Sequence, residues 1–305
     1  MFTTEAYRRG ERFKAGSCGY RKPLFLIAHQ DDELNYGGLI QRLGPATEFV
    51  WITNGDGLYF ETKLTPEAYG ELRMAEAVKA VGAVGIPEAN TSFLKFSEIE
   101  IYRRMSELYS GKSDMSGNRE YFDGMRRSVR EALFRAAPDI VFTCAWQGGH
   151  PEHDLAHFFT ALAVKDYVKE TGKNVEFFHL PEYEYTILLA MRFHPLYRGE
   201  RYRIRLTPEE LSGKMRIIDA YPSQVRLFDE FRKVFGYIGL AGHVTGGPKN
   251  AEEYLSSEEF GPVPAGIDYT RKPHLFDYFT YMFDDFEGVP VTFTRSILPI
   301  VKAFV

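Results

Sequence analysis

Short apolar runs alternate along the chain with longer segments in which apolar residues recur at helical spacing. Nearly continuous apolar runs of this kind are typical of strands buried on both faces of a sheet. The runs lie at residues 23–28, 48–53, 92–96, 138–145 and 175–180. The main helical patterns lie at residues 65–85, 121–137 and 207–220 and after residue 154. This alternation predicts an α/β fold with a mostly parallel, doubly wound sheet.

Local signals add detail to this plan. Thr65 and Thr207 each precede a proline, which places an N-cap hydroxyl before the first helical position. Residues 201–206 alternate charged and apolar side chains, so we expect a half-exposed edge strand. Residues 110–120 are rich in glycine, serine, aspartate and asparagine, and this composition predicts a loop.

The composition changes beyond about residue 240, and we therefore divide the chain into a domain of residues 1–240 and an extension of residues 241–305. Residues 236–247 contain five glycines without the G-x-G-x-x-G spacing, so a loop is favoured over a nucleotide site. Residues 274–305 are dense in phenylalanine and tyrosine. A packed extension or a subunit interface is favoured over a lid whose rings stack on a sugar.

Composition narrows the classes of partner. The net charge of −5 and the pI near 6.0 argue against a nucleic-acid partner. No apolar run approaches the length of a membrane span, and residues 1–14 lack the apolar core of a secretory signal. The two cysteines, Cys18 and Cys144, are too few for a disulfide framework or a cysteine zinc site. We therefore expect a cytoplasmic protein with no membrane partner; a homo-oligomer is left open.

The first apolar run ends in a polar corner that carries His29, Asp31, Asp32 and Glu33. After a strand of an open α/β sheet, these side chains fall at the carboxyl edge, where ligands bind. His29 and Asp32, three residues apart, can reach one cation, and imidazole with carboxylate suits a zinc-like ion. Acidic residues are also favoured at helix starts by the helix dipole. From this segment alone, metal binding and stabilisation of a helix start are equally supported.

A second corner follows the run at residues 138–145 and carries His150, Glu152, His153 and His157. If the two strands are neighbours, both corners face each other. A catalytic zinc site needs three protein ligands and one open position, which His29, Asp32 and one histidine of the second corner supply. The remaining groups include a carboxylate for use as a base and an imidazole that can steady developing charge. The pair of corners therefore favours a metal-dependent hydrolase.

These residues resemble a known family. The segment AHQDDE at residues 28–33 is similar to the AHPDDE signature of the PIG-L/LmbE zinc-dependent N-deacetylases, and GHPEH at residues 149–153 is similar to its GHPDH. TNGDG at residues 53–57, Arg73 with Glu76, and Lys214 with YPSQ at residues 221–224 follow in the family's order. The resemblance covers about residues 20–235. Gln30 replaces the usual proline and Glu152 the usual aspartate.

The resemblance implies a Rossmann-like, LmbE-like fold for the domain and a role for each matching residue. His29, Asp32 and His153 would bind the metal, which is Zn2+ or alternatively Fe2+. Asp31 would be the general base, His150 would stabilise the oxyanion or protonate the leaving amine, and Arg73 would lie near the sugar. The substrate would be a small-molecule amino-sugar conjugate.

Other candidates rest on the residues alone. Asp56 and Glu98 lie on the predicted active edge and are candidates for substrate binding. Glu33, Glu152 and His157 are candidates for supporting the metal ligands, although His157 also suits helix packing.

The leading interpretation is thus removal of an N-acetyl or other N-acyl group from an amino-sugar conjugate. A metal-dependent hydrolase of another amide or ester is the first alternative. A non-catalytic Rossmann-like module that binds a sugar or nucleotide is the alternative from another class, and the missing glycine fingerprint argues against it.

Overall fold

A mixed sheet organises the structure, a computed structural model that describes residues 4–14, 19–184, 189–226, 250–273, 281 and 284–305. Within the described residues this sheet has seven strands, β1 to β5, β8 and β9, while β6 with β7 and β10 with β11 form two separate pairs. The strands are β1 (Pro23–Ile27), β2 (Glu48–Thr53), β3 (Thr91–Phe96), β4 (Ile140–Cys144), β5 (Glu176–Leu180), β6 (Tyr183–Glu184), β7 (Leu189–Ala190), β8 (Tyr202–Arg205), β9 (Ser257–Pro262), β10 (Asp285–Phe286) and β11 (Val289–Pro290).

The helices fill the connections between the strands. They are α1 (Thr4–Gly10), α2 (Gly37–Leu43), α3 (Pro66–Gly82), α4 (Glu98–Ser110), α5 (Met115–Ala136), α6 (Pro151–Thr171), α7 (Pro208–Asp219), α8 (Ala251–Leu255) and α9 (Leu298–Lys302). Short 3-10 segments include Asp32–Tyr36 and Pro222–Gln224, and Phe293–Ile297 is a π-helical turn. Thr207 opens α7 with the reciprocal capping box that its sequence predicts.

The sheet order is β3-β2-β1-β4-β5-β9-β8. The pairs among β1 to β5 are parallel, whereas β9 runs antiparallel to both β5 and β8. Helices α5 and α6 pack against each other and against strands of the sheet, while α2, α3 and α7 form a second packed group. The expected mostly parallel α/β architecture is confirmed, and β8 lies at the edge of the sheet as its alternating pattern indicates.

Aromatic side chains form the core beneath the central strands. Phe25 of β1 stacks between Phe49 of β2 and Phe142 of β4, with ring centroids 4.9 Å apart in both pairs. All three rings are fully buried. Burying a side chain of this size contributes about 1.5–3 kcal/mol. The strands that end at the two polar corners are therefore held by a well-packed core.

The described part of the extension joins the same sheet. Strand β9 lies between β5 and β8, and its Glu258 carboxylate accepts hydrogen bonds from the backbone N–H groups of Gly38 and Leu39, both at 2.8 Å. Glu258 also pairs with Lys214 of α7, at 3.2 Å. The division at residue 240 stays a prediction, but residues on both sides of it build one core.

The expected loop at residues 110–120 is confirmed only at residues 111–114, because α4 ends at Ser110 and α5 already begins at Met115. Asp114 caps this helix by accepting hydrogen bonds from the N–H groups of Ser116 and Gly117, at 2.8 and 3.3 Å. The same small and polar residues that favour loops also favour helix N-termini, and here the N-cap prevails. The sequence pattern also gave no indication of α4, which ends where this segment begins.

Several expectations fall on residues outside the described ranges. These include the glycine-rich segment 236–247, Cys18 and most of the aromatic cluster after residue 274. Tyr281 of that cluster is described, is buried, and donates a hydrogen bond to Asp154 at 2.9 Å. Among the described helices, none is long and apolar enough to cross a membrane.

Candidate metal centre and active site

The two polar corners meet at the carboxyl edge of the sheet. β1 and β4 are parallel neighbours, with Leu24 paired to Val141 and Phe25 to Phe142. Because both strands end at the same edge, the residues that follow Ile27 and Cys144 come together. The first corner turns into the 3-10 segment Asp32–Tyr36, and the second turns directly into α6. The predicted juxtaposition of the corners is present in the structure.

Three polar atoms from these corners converge. His153 Nε2 lies 3.0 Å from both His29 Nδ1 and Asp32 Oδ1, and the last two atoms are 3.6 Å apart. The other oxygen of Asp32 accepts the backbone N–H groups of Ala28 and His29, at 3.0 and 2.8 Å. These bonds fix the carboxylate, so that Oδ1 is left facing the two imidazoles.

The spacing of the three atoms fits a small divalent ion. Tetrahedral zinc with bonds of about 2.0–2.2 Å to nitrogen and oxygen places neighbouring ligand atoms roughly 3.3–3.6 Å apart. The three observed separations run from 3.0 to 3.6 Å. His150 is also close, since ligand atoms of His29, His150 and His153 all lie within 4.8 Å of one another. The donor set of two imidazoles and one carboxylate suits zinc and ferrous iron.

Contacts behind the three atoms orient them. The other nitrogen of His29, Nε2, lies 2.7 Å from Glu152 Oε2, so Nε2–H can donate while Nδ1 faces the convergent atoms. Cys144 donates its thiol to Asp32 Oδ2 at 3.4 Å. Carboxylate partners of this kind hold metal-binding histidines in one tautomer. Burial raises the pKa of Glu152 to about 7, against the effect of the His29 contact.

Asp31 sits beside this cluster in a strained backbone conformation. Its φ of 135° lies in the region that non-glycine residues rarely adopt, at a cost of about 1–3 kcal/mol. Asp31 Oδ2 pairs with Arg73 Nη2 at 2.9 Å. Burial raises the pKa of the Asp31 carboxyl, and the Arg73 guanidinium opposes that rise. Strain that is maintained by surrounding contacts is common at functional sites.

Glu33 supports the turn that contains Asp31. Its carboxylate accepts hydrogen bonds from the Asp31 backbone N–H and from Trp51 Nε1, both at 3.2 Å, and also from the Tyr221 hydroxyl. Glu33 is fully buried, and burial raises its pKa to about 7. It contacts none of the three convergent atoms directly. The structure therefore places Glu33 as an anchor of the corner.

Arg73 is buried at the centre of a network built from three separate motif segments. Its guanidinium donates to the Gln30 carbonyl and lies over the Tyr221 ring, 5.2 Å from the centroid. Glu76, 3.8 Å from Arg73, accepts the Ser223 backbone N–H at 2.9 Å. Arg73 and Glu76, the corner at Gln30 and the segment 221–224 therefore form one unit around Asp31.

His150 is the N-cap residue of α6. Its Nδ1 accepts the Glu152 backbone N–H at 3.3 Å, which leaves Nε2 to carry the proton of a neutral imidazole. Burial lowers the pKa of His150 well below its usual value, and the nearby His29 and His153 lower it further. The three rings lie close together, with centroids of His29 and His153 at 4.6 and 4.8 Å from that of His150.

The two predicted substrate-binding carboxylates differ in their surroundings. Both carboxylate oxygens of Asp56 have local hydrogen-bond partners. Oδ1 accepts the Glu98 backbone N–H at 2.8 Å, and Oδ2 accepts the Ser97 hydroxyl at 2.7 Å. It therefore supports the start of α4. The Glu98 carboxylate also accepts two hydrogen bonds, from the Thr53 hydroxyl at 2.8 Å and from the Gly57 backbone N–H at 3.0 Å, but Glu98 lines a cavity at this edge of the sheet. A contact with substrate stays a prediction for both.

His157 faces away from the convergent atoms. Its Nδ1 lies 2.8 Å from the Cys144 carbonyl, and its Nε2 lies 3.1 Å from the Tyr269 hydroxyl. These contacts tie α6 to the end of β4, as helix packing predicts. Burial lowers the pKa of His157 to about 4. The nearby His179 is also buried, and burial lowers its pKa as well.

Replacing His157 with glutamine should reduce the acid sensitivity of the fold. The unfolded state takes up a proton near pH 6.5 and the folded state only near 4, so the unfolded state binds more protons between these values. Stability is therefore full above about pH 6.5 and falls by about 3 kcal/mol as the pH drops to about 4. Urea unfolding at about pH 7 and about pH 5 measures the difference.

The variant H157Q should lose about 2 kcal/mol less than the unmodified protein over that interval. Tyr269→Phe is the matched control, because it removes the hydroxyl partner but leaves the imidazole, and should keep the original pH dependence. Equal losses in H157Q and in the unmodified protein would contradict the assignment.

A cavity of about 450 Å3 opens above the cluster. Its floor contains His29, Asp31, His150 and Glu152, and its walls include many aromatic rings. The sequence interpretation missed several of the lining residues. Tyr102 lies on the unexpected helix α4, and Asp285, Phe286 and Glu287 come from the β10–β11 hairpin near the C-terminus. No local motif marks them, since only the packing of α4 and the hairpin brings them to the cavity.

Comparison with known proteins connects this site to a family. Residues 24–164 match the model of the family described as PIG-L, GlcNAc-PI de-N-acetylase. That range contains both corners, and the resemblance to the PIG-L family is confirmed there. Among curated proteins, none matches the chain significantly in sequence.

Solved structures share the fold at low sequence identity. The A40926 pseudoaglycone deacetylase superposes with a TM-score of 0.54 at 18% identity, covering 79% of this chain and 96% of that one. A deacetylase of teicoplanin biosynthesis has a TM-score of 0.55 at 17% identity, covering 79% and 97%. A conserved protein from Thermus thermophilus has a TM-score of 0.50 at 19% identity, covering 81% and 96%. The likeness establishes the LmbE-like α/β fold.

Proposed function

We propose that this chain, whose residues 24–164 match the PIG-L family, is a metal-dependent hydrolase that removes the N-acetyl group of an amino-sugar conjugate. The observation that carries the proposal is the convergence of His29 Nδ1, Asp32 Oδ1 and His153 Nε2 at zinc-like spacing, next to a cavity that His29, Asp31 and His150 line. Two of the similar structures are deacetylases by their names, one of the A40926 pseudoaglycone and one of the teicoplanin biosynthesis pathway.

His29, Asp32 and His153 would hold a Zn2+ or Fe2+ ion. Bound at this position, such an ion would lower the pKa of a water ligand to about 7. The donor atoms are already oriented by the protein, through the Asp32 contacts with the backbone and the His29 contact with Glu152. Little rearrangement of the chain is therefore needed when the ion binds.

Asp31 is the general base in this proposal. A carboxylate whose pKa is raised by burial is a better proton acceptor than an exposed one. The pairing with Arg73 Nη2 at 2.9 Å keeps Asp31 oriented and ionised. As the oxygen of water bonds to the amide carbon, Asp31 accepts one proton from that water. The same proton passes to the nitrogen when the C–N bond breaks, so that an amine and acetic acid leave. The acid then loses its remaining proton to the solvent or to the free amine and becomes acetate.

His150 assists at the carbonyl oxygen. Because Nδ1 accepts the Glu152 backbone N–H, the proton lies on Nε2, and the imidazole can donate a hydrogen bond. Negative charge develops on the carbonyl oxygen as water adds, and a fixed donor in a buried site stabilises that charge. Removing one such donor typically costs about 10²–10³ in kcat.

Release of acetate from N,N'-diacetylchitobiose and other N-acetylglucosamine conjugates tests the function. We expect free amine to appear with the purified protein, to disappear after treatment with a chelator, and to return when Zn2+ or Fe2+ is added. Acetylated peptides and acetyl esters serve as comparison substrates. Hydrolysis of these compounds with none of the sugars, or sugar hydrolysis that is unaffected by complete metal removal, would contradict the proposal.

A further inference from the structure

The cavity above the cluster is strongly acidic. Five of its described lining residues are carboxylates: Asp31, Glu98, Glu152, Asp285 and Glu287. Among the described lining residues, Arg73 is the only lysine or arginine, and it is already paired with Asp31 at 2.9 Å. A divalent ion bound by His29, Asp32 and His153 would offset the charge of Asp32 and of one wall carboxylate. Because Arg73 offsets Asp31, three wall carboxylates would remain uncompensated. Such a wall attracts cations and repels anions.

A buried oxygen on this wall has no hydrogen-bond partner. Glu152 is only 3% exposed, and its Oε2 contacts His29. Its second oxygen, Oε1, has no hydrogen-bond donor within the described part of the chain. An unpartnered buried carboxylate oxygen is costly, about 1–3 kcal/mol or more, unless a ligand or water supplies a donor. The cavity therefore has an acceptor available for a donor group of the substrate.

The β10–β11 hairpin carries the outer carboxylates. It packs against α4, and its exposed residues Asp285 and Glu287 line the mouth of the cavity. Asp285 holds the turn by accepting the Gly288 backbone N–H at 3.0 Å. Glu287 adopts a positive φ of 51° within the same turn. The hairpin thus adds two acidic side chains to a wall that is otherwise formed by residues 29–224.

Carboxylates from different helices and from the hairpin region all exert their electrostatic effect on Tyr102. Tyr102 lines the cavity between the corners and the hairpin. Burial raises the pKa of its phenol, and the charges of Glu152, Glu98, Asp284 and Asp285 raise it further. These four residues belong to α6, α4 and the C-terminal hairpin region. Their field therefore converges at the Tyr102 ring, which itself offers an aromatic face to a cation.

We propose that the substrate carries a protonated amine besides the N-acetyl group, and that Glu98, Glu152 and the hairpin residues Asp285 and Glu287 bind that cationic end. This inference rests on the proposed function, because it assigns the substrate class of the same site. Tyr102 and Phe286 would pack against the sugar and the ammonium group. An anionic conjugate, such as a sugar phosphate, is selected against by the same wall.

Binding of two disaccharides of one shape tests the proposal directly. Chitobiose carries two amines, and cellobiose carries hydroxyls at the same positions. Titration calorimetry of the metal-loaded protein, at about pH 7 and low salt, should show chitobiose binding about tenfold more tightly than cellobiose. The preference should shrink at high salt, because the outer carboxylates are exposed and screened. Glucose 6-phosphate should bind more weakly than either.

Charge-neutralising variants locate the effect. Asp285→Asn and Glu287→Gln should each reduce the preference for chitobiose several-fold, with cellobiose affinity unchanged. Glu71→Gln removes an exposed carboxylate of α3 that does not line the cavity, and should leave the preference intact. Equal affinity for the two sugars, no detectable binding of either, or an unchanged preference in both hairpin variants would overturn the proposal.

Deacetylation of neutral N,N'-diacetylchitobiose is measured in parallel. Its failure would count against the proposed function, whereas the binding preference is read without any turnover. Hydrolysis of the neutral sugar together with equal binding of chitobiose and cellobiose would preserve the function and reject the cationic substrate class.

Discussion

Replacing Asp31 with asparagine should lower kcat for amide hydrolysis by about 10³-fold, within the range of 10²–10⁴ typical of general base catalysis. Asparagine has the same size and can still accept a hydrogen bond from Arg73 through its carbonyl oxygen. It cannot take a proton from water. The metal ligands on either side of residue 31 stay unchanged, so metal content should remain at the level of the unmodified protein. Steady-state kinetics and metal analysis on one preparation measure both quantities.

Two controls separate chemistry from structure in that experiment. Asp123→Asn changes a carboxylate on α5 that pairs with Arg126 at 3.0 Å outside the cavity, and should keep full activity. Thermal unfolding of D31N should show a folded protein, because Arg73 keeps its contacts with the Gln30 carbonyl and Glu76. An active D31N with normal metal content would remove Asp31 from the role of base.

Removing the imidazole of His153 should abolish metal binding and should therefore lower the hydrolytic activity by at least about 10³-fold. His153 Nε2 is the atom that lies closest to both other ligand atoms, at 3.0 Å from each. Without it, two ligands remain, which is fewer than the three of a catalytic zinc site. Metal analysis after dialysis should give about one ion per chain in the unmodified protein and close to none in His153→Ala.

His157→Gln is the matched control, because His157 lies one turn later on α6 and contacts the Cys144 carbonyl instead of the ligand atoms. It should retain the metal and neutral-pH activity. Metal at a thousand times its dissociation constant stabilises a folded protein by about 4 kcal/mol. A chelator should therefore lower the Tm of H157Q but not that of H153A. Full metal content in H153A would refute the ligand assignment.

The sequence predicted the centre of the fold well, because buried parallel strands leave a strong local pattern. The apolar runs around Phe25, Phe49 and Phe142 became neighbouring strands with their polar residues at one edge. The start of α5 was misplaced, because serine, glycine and asparagine favour both loops and helix N-termini. The position of β9 depends on pairing with β5 and β8, which are distant in the chain, and no local pattern encodes it.

The functional site was likewise predictable from the sequence only in part. Paired motifs after matching strands pointed to His29, Asp32 and His153, and the structure brings their ligand atoms together. The contacts that orient them were less visible. The Cys144 thiol near Asp32 follows from the alternation of side chains along β4, but a buried cysteine is usually only a packing residue. The hairpin at Asp285 reaches the cavity through tertiary packing alone.

Because Glu258 lies late in the chain, the contacts that support the start of α2 can form only late during synthesis. The N–H groups at the start of α2, directly after the first corner, are satisfied by a carboxylate more than two hundred residues downstream. A ribosome adds about 5–20 residues per second. The first corner therefore leaves the ribosome well before the strand that completes its support. Until β9 arrives, the nascent chain has an unfinished sheet edge at β5, where another strand can pair incorrectly. Chaperone dependence during translation should thus be greatest after β5 has left the ribosome and before β9 has done so.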